Sequence, residues 1–197
     1  RYGVPGFANL EEALQQRPDA AVICTPAPLH VPQATQLAEA GLHLLIEKPL
    51  STTLAGIDRL SELVLSGETR LLGPNTNLNA FEDFRQDLEG PSIALITQSG
   101  HQGRPVFQGQ EIGIRLTHWA PTGNEVDLEF ADFARNFADQ PEVGVIACYI
   151  EGFKDGRTLM LAADHAAQLK KPIVIVKVGK TAAGRSMAQS HTGHLTG

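Results

Sequence analysis

Two histidines, His191 and His194, stand three residues apart in the stretch SHTGHLTG, among hydroxyl and glycine residues. An imidazole nitrogen is a competent nucleophile near neutral pH, because its unperturbed pKa lies close by, and it can accept a phosphoryl group. A zinc site on one helix face needs histidines four residues apart together with an acid. Here a glycine interrupts a shorter spacing and no third ligand is near, so we predict no metal site.

Two further stretches suit phosphate chemistry. TQSG (97–100) ends an apolar run before a helical pattern, so its hydroxyls and backbone N–H groups could surround an anion. The alternative is a plain helix cap with a tight turn, and His101 is either a phosphate contact or a solvated side chain. Glu151 follows another apolar run, where its carboxylate can orient an imidazole. The alternative is an acid favoured by a helix N-terminus.

A third turn-rich stretch, TGNEVDLEF (122–130), places Gly123 and Asn124 before a helical pattern. Asp127 and Glu129 are expected in the first turn of a helix rather than in the chemistry.

The elements that must position these loops alternate between strands and helices. In the first half, the apolar runs 20–25, 43–47 and 70–73 predict strands. Between them, 31–41 and 52–67 predict helices, the second with Thr52 or Thr53 as its N-cap. Near-continuous apolar strands in this order are typical of a parallel sheet covered on both faces.

The second half repeats this alternation after a polar, turn-rich stretch at 74–91. Strands are predicted at 92–98, 116–120, 143–151 and 172–179, and helices around 105–113, 126–138 and 156–170. We therefore predict an α/β protein of two doubly wound parallel-sheet units in tandem, covering residues 1–88 and 89–197. In such sheets, ligands bind beyond the carboxyl ends of the strands.

Composition excludes several classes of protein. The net charge of −6 over 197 residues disfavours nucleic-acid binding, and no apolar stretch is long enough to span a membrane. The two cysteines, Cys24 and Cys148, lie in apolar runs and are expected to be buried thiols, which favours a cytoplasmic location.

Seven motifs in order make the chain similar to a known superfamily. They are TPAP, LLGPN, IALITQSG, PTGNEVDLEFADF, YIEG, PIVIVKVGKTAAGR and SHTGHLTG. The chain resembles the NDP-forming acyl-CoA synthetases, which include succinyl-CoA synthetase alpha subunits. The resemblance implies a partial Rossmann-like CoA-binding domain followed by a flavodoxin-like CoA-ligase domain.

The resemblance also implies a reaction. Acyl-CoA and phosphate give acyl phosphate and CoA, and the phosphoryl group then passes through a histidine to ADP or GDP. His191 matches the phosphorylated histidine, Glu151 matches the glutamate that supports it, and His194 departs from a usually small apolar position. A Ser-x-Ser-Gly turn that faces the phosphate matches Thr97, Ser99 and Gly100, with threonine in place of the first serine. The resemblance also implies phosphate contacts at Gly123, Asn124, Thr192 and Gly193. CoA would contact residues that match Thr25, Pro26, Ala27, Gly73, Pro74 and Asn75.

Further partners are implied by the same resemblance. The magnesium nucleotide belongs to an ATP-grasp domain or subunit, which nothing in this chain resembles, and an oligomer is expected. We also expect sequence upstream and downstream of this chain, because a glycine-rich CoA loop and the rest of the ligase domain are missing from it. A non-catalytic CoA-binding module is a further alternative.

A second resemblance covers only the first half. The stretch VICTPAPLHVPQATQLAEAGLHLLIEKPLS is similar to NAD(P)-dependent sugar and inositol dehydrogenases, in which a Glu-Lys-Pro serves the nicotinamide site. Lys48 would have that role. The G-x-G-x-x-G loop of such enzymes is absent from this chain, and the residues after Leu72 match the synthetases.

Overall fold

The computed structural model describes residues 3–66, 69–73, 76 and 83–179. The chain forms two compact units, Arg1–Leu71 and Leu72–Gly197. The predicted division after residue 88 stays a prediction. No helix within the described ranges is both long and apolar enough to cross a membrane.

A three-stranded sheet with helices between its strands forms the first unit, and its last strand ends at Leu72, one residue past the boundary. Its elements are α1 (Leu10–Leu14), β1 (Ala20–Ile23), a 3-10 helix (Ala27–Leu29), α2 (His30–Glu39), β2 (His43–Ile46), α3 (Ile57–Leu65) and β3 (Leu71–Leu72). The strand order is β1-β2-β3, and β1 pairs with β2 in parallel, with Ala20 opposite His43.

One apolar cluster holds this unit together. Ile23, Leu44 and Ile46 from the strands are buried against Leu37 of α2 and Leu60 of α3. Successive strand side chains point to opposite faces, so Ile23 faces the helices and Val22 faces away, where it is 54% exposed.

Two local predictions for the first unit are wrong. The helix predicted from Thr52 or Thr53 begins at Ile57, after Gly56 in the left-handed conformation at φ 80°. The Thr53 hydroxyl accepts from the Ala55 N–H at 3.4 Å, so it supports a turn instead of capping the helix. Cys24 is exposed because β1 ends one residue before it, and the prediction of a buried thiol fails there.

The second unit contains a four-stranded parallel sheet in the order β5-β4-β6-β7. Its elements are β4 (Ser92–Thr97), α4 (Gly100–Phe107), a 3-10 helix (Gln108–Ile112), β5 (Leu116–Pro121), α5 (Phe130–Asp139), β6 (Val143–Ile150), α6 (Gly156–Gln168) and β7 (Ile173–Lys177).

Helices cover both faces of this sheet. Ile96 and Ile146 are fully buried on the side where Phe130 of α5 packs. Leu95 points to the other face and packs with Phe107 of α4. The α/β class with two parallel-sheet units is confirmed.

Two helix boundaries in this unit differ from the prediction. The helix expected around 105–113 begins at Gly100, so Pro105 lies inside it, and the helix ends two residues later at Phe107. The helix expected from residue 126 begins at Phe130, which places Asp127 before its first turn. Glu129 is the N-cap of that helix and forms a capping box with Asp132. Cys148 is buried, as predicted.

Candidate functional site

The loop from β4 into α4 forms one side of the candidate site. Ser99 has extended backbone angles, φ −110° and ψ 117°, and the helix starts immediately after it at Gly100. The Ser99 side chain makes no cap hydrogen bond within the described part of the chain. The first N–H groups of α4 are therefore left for another acceptor, with the positive end of the helix dipole behind them. His101, in the first turn, is exposed.

Thr97 differs from Ser99 in where its side chain goes. Thr97 is fully buried, and its hydroxyl accepts a hydrogen bond from Nε1 of Trp119 at 2.9 Å. Its carbonyl accepts from the Thr122 N–H at 2.8 Å, which joins the ends of β4 and β5. The hydroxyl thus anchors Trp119 beneath the loop, and the phosphate contact assigned to it stays a prediction.

Glu151 forms the other side of the candidate site. It directly follows β6 and is buried, with 6% of its surface exposed. Burial raises the pKa of nearby Tyr149, and the negative charge of Glu151 raises that pKa further. The prediction that this carboxylate lies at the carboxyl edge of the sheet is borne out by β6 ending at Ile150.

Gln98 and Lys177 belong to the same edge and were not predicted. The Gln98 side chain, 1% exposed, hydrogen-bonds the backbone of Glu151 and Gly152. Nζ of Lys177, the last residue of β7, donates to the Glu151 carbonyl at 2.9 Å. Their signal in the sequence was slight: Gln98 lies between two other polar residues, and Lys177 is one polar residue within the apolar run 172–179.

The loop from β5 into α5 supplies a third element at this edge. Gly123 and Glu125 both have left-handed backbone angles, φ 66° and φ 53°. The Glu125 side chain is buried, and its Oε1 accepts from the Thr122 hydroxyl at 2.6 Å and from the Phe130 N–H at 3.1 Å. A non-glycine residue in this conformation is strained by about 1–3 kcal/mol, and these two hydrogen bonds help to hold it there.

In the first unit, a buried histidine joins two strand-end loops. Nε2 of His30 lies 2.5 Å from the Thr25 carbonyl, and its Nδ1 lies 2.9 Å from the Pro49 carbonyl. The Thr25 hydroxyl donates to Gln33 at 2.7 Å. Lys48 is exposed beside this loop. Pro26 and Ala27, with Thr25 the predicted CoA contacts in this unit, lead into the 3-10 helix, for which Pro26 is the N-cap.

Several predicted site residues lie outside the described residues. They are Pro74, Asn75, His191, Thr192 and Gly193, together with His194. Gly73, by contrast, lies within the described residues. It is buried, its φ is 100°, and its carbonyl accepts from the Val126 N–H at 3.1 Å. Within the described ranges, no three His, Cys, Asp or Glu side chains form a metal-binding group.

Comparison with protein families connects these loops to known proteins. Residues 90–197, just over half of the chain, match the model of the succinyl-CoA ligase like flavodoxin domain. The chain belongs to this family. Residues 1–72 match a second model, that of an oxidoreductase family with an NAD-binding Rossmann fold. Both resemblances inferred from the sequence motifs are thereby confirmed.

Curated relatives of this succinyl-CoA ligase-like chain include ADP-forming acetate–CoA ligases. The alpha subunit of acetate–CoA ligase II from Pyrococcus furiosus is 37% identical over 65% of this chain and 29% of that protein. Acetate–CoA ligase I from Archaeoglobus fulgidus is 31% identical over 99% of this chain and 30% of that protein. The chain therefore spans less than a third of the length of these relatives.

Solved structures agree with the sequence comparison. The dinucleotide-forming acetyl-coenzyme A synthetase 1 of Ca. Korarchaeum cryptofilum, in complex with phosphate and ADP, superimposes with a TM-score of 0.70. The identity is 29%, and the match covers 91% of this chain and 41% of that one. This likeness extends through both units of the chain.

Proposed function

We propose that this chain is the CoA-ligase portion of an NDP-forming acyl-CoA synthetase and carries a phosphoryl group on His191. The carboxyl edge of the second sheet carries the proposal. There the N-terminus of α4, without a side-chain cap among the described residues, and the buried Glu151 are joined through Gln98. The first offers N–H donors for a phosphoryl group, and the second offers a carboxylate for an imidazole.

The proposed reaction has three steps. A phosphate oxygen attacks the thioester carbon of the acyl-CoA, and the C–S bond breaks to give acyl phosphate and CoA thiolate, which takes up a proton. A nitrogen of His191 then attacks phosphorus, the P–O bond to the acyl group breaks, and the carboxylate leaves. Finally, a terminal oxygen of the nucleoside diphosphate takes the phosphoryl group, which restores the imidazole and yields the triphosphate.

The residues of this chain would bind and orient the reactants. The first N–H groups of α4, which follow Ser99, would stabilise the phosphoryl oxygens without reorganising, because the helix already holds them. Gly123 and Asn124 would add contacts from the neighbouring loop. Glu151 would accept the other imidazole N–H of His191 and so fix which nitrogen attacks.

The remaining contacts are proposals of the same kind. The CoA contacts that the resemblance implies at Thr25, Pro26, Ala27, Gly73, Pro74 and Asn75 stay predictions. A magnesium-bound ADP or GDP would be held by an ATP-grasp domain or subunit. A cytoplasmic, oligomeric enzyme fits this assignment.

The first two steps can be tested in the full-length protein. Acyl-CoA and inorganic phosphate without nucleotide should release CoA and give an acyl phosphate that hydroxylamine traps as the hydroxamate. The Glu151→Gln variant should still form the hydroxamate but transfer little phosphate to His191, because the Glu151 carboxylate acts only after acyl phosphate has formed. If phosphate released no CoA from acetyl-CoA, propionyl-CoA or an aromatic acyl-CoA, the assignment would be refuted.

The match of residues 1–72 to an NAD-binding Rossmann family favours one second candidate. It is an NAD(P)-dependent oxidoreductase in which the exposed Lys48 serves the nicotinamide site. The full-length protein would then change the fluorescence of NADH or NADPH, and Lys48→Ala would abolish turnover. A third possibility, a non-catalytic CoA-binding module, predicts that CoA raises the melting temperature although no acyl phosphate forms.

A further inference from the structure

The Gln98 side chain hydrogen-bonds to the backbone of two consecutive residues, 151 and 152. Its Oε1 accepts from the N–H groups of Glu151 at 2.5 Å and of Gly152 at 3.0 Å. Its Nε2 donates to the Gly152 carbonyl at 2.8 Å. Because Gln98 is 1% exposed, water cannot replace these partners, and each bond that is lost leaves a buried polar group unsatisfied.

The side-chain contacts of Gln98 are additional to the backbone pairing of the strands. At the end of β4, the backbone N–H of Gln98 already donates to the Tyr149 carbonyl of β6 at 3.1 Å. The side chain reaches past that point to residues beyond the last residue of β6, Ile150. On the opposite side, Lys177 donates to the Glu151 carbonyl at 2.9 Å. The main chain of Glu151 is thus held at its N–H by Gln98 and at its carbonyl by Lys177.

Gln98 also lies next to the start of α4. It directly precedes Ser99, the N-cap of that helix. One residue therefore fixes the start of the helix that would bind phosphate and the backbone from which the Glu151 carboxylate projects. A shift of about 1 Å between two such groups can cost about a hundredfold in rate.

We propose that Gln98 is a positioning residue that sets the Glu151 carboxylate relative to the N-terminus of α4 for phosphoryl transfer. This inference rests on the proposed function. Gln98 touches neither substrate nor the reacting atoms and acts through Glu151. Its amide is needed because the contact requires an acceptor for two N–H groups and a donor for one carbonyl on one side chain.

Tyr149 reports on the position of Glu151 independently of activity. Burial is the main cause of the raised pKa of Tyr149, and the negative charge of Glu151 raises that pKa further. In the full-length protein labelled with 13C-tyrosine, the Tyr149 signal can be assigned by its loss in Tyr149→Phe and followed through a pH titration. We expect Gln98→Leu to lower this pKa by part of its shift, because the carboxylate moves while the burial of Tyr149 remains.

Gln110→Leu is the matched control. Gln110 is also a buried glutamine, 4% exposed, and its Oε1 accepts from the Arg85 N–H at 2.9 Å, away from Glu151. Its replacement should lower stability without changing the Tyr149 titration. The rate at which His191 becomes phosphorylated should fall by about 10–100-fold in Gln98→Leu and remain near the wild-type rate in Gln110→Leu.

Gln98→Glu keeps the test decisive if Gln98→Leu folds poorly. The new carboxylate, when ionised, accepts from both N–H groups but faces the Gly152 carbonyl without a proton to donate. When the carboxyl group is protonated, the donor is restored. The phosphorylation rate of this variant relative to wild type should therefore rise as the pH falls from 8 to 5, whereas the ratio for Gln98→Leu should stay flat.

The outcomes separate the two proposals. If the wild-type protein forms no phosphohistidine at His191, the proposed function fails, and the Tyr149 titration still decides whether Gln98 holds Glu151. If phosphohistidine forms but Gln98→Leu matches Gln110→Leu in rate, the positioning role is overturned. An unchanged Tyr149 pKa in Gln98→Leu, or a pH-independent rate ratio in Gln98→Glu, would overturn it as well.

Discussion

A methyl group added at Gly103 would collide with Trp119, so we expect Gly103→Ala to destabilise the protein. An ideal Cβ at this position lies 2.3 Å from Cζ2, 2.7 Å from Cε2 and 2.8 Å from Nε1 of the indole. The indole has little room to move, because it stacks on Phe107 at 5.3 Å and donates to Thr97 at 2.9 Å. Overpacking of this kind costs about 1–3 kcal/mol, and we take the upper value because the ring is held on two sides.

The helical preference of alanine over glycine offsets about 1 kcal/mol of that cost, which leaves a net loss of about 2 kcal/mol. For a chain of this size, the melting temperature should fall by about 4–8 °C, measured by calorimetry or circular dichroism. Gly156→Ala is the control, since a Cβ there meets nothing within 4 Å and should be neutral or slightly stabilising. A melting temperature for Gly103→Ala at or above that of wild type would refute the packing argument.

Other regions give predictions of the same kind. Cys24 is exposed, whereas Cys148 is buried and its thiol pKa is raised by that burial. Iodoacetamide should therefore modify Cys24 in the native protein and Cys148 only after unfolding, which peptide mass spectrometry would show. Glu129→Ala removes half of the capping box of α5 and should cost about 1 kcal/mol in urea unfolding. The raised pKa of Tyr149 means that its contribution to stability is complete below the unfolded-state pKa and is lost as the pH rises through the folded-state pKa. Glu151→Gln should lower that pKa, which a tyrosine NMR titration would detect.

The order of strands and helices could be predicted because burial is periodic along the chain. Short apolar runs rich in β-branched residues, such as SIALIT and VGVIACYI, are typical of parallel strands covered on both faces. Helix starts could not be predicted as well. Thr53 has the right side chain for a cap, yet Gly56 at φ 80° ends the turn later, and nothing local to Thr53 reveals that.

Only part of the candidate site could be predicted from the sequence. The position of Glu151 could be predicted because a charged residue after an apolar strand must lie at the sheet edge. The role of Gln98 could not, since its partners lie 53 and 54 residues away along the chain and depend on how β4 and β6 pair. The exposure of Cys24 was missed because β1 ends at Ile23, two residues before the end of the predicted strand 20–25.

The central claim is that the phosphoryl group passes through His191, and direct labelling tests it. The full-length protein, together with its nucleotide-binding domain or subunit, would be incubated with γ-32P-labelled ATP or GTP and Mg²⁺ and then mapped by peptide analysis. We expect a label that is acid-labile and alkali-stable, lost in His191→Ala and kept in His194→Ala. Full labelling of His191→Ala, or a label that resists acid, would contradict the claim.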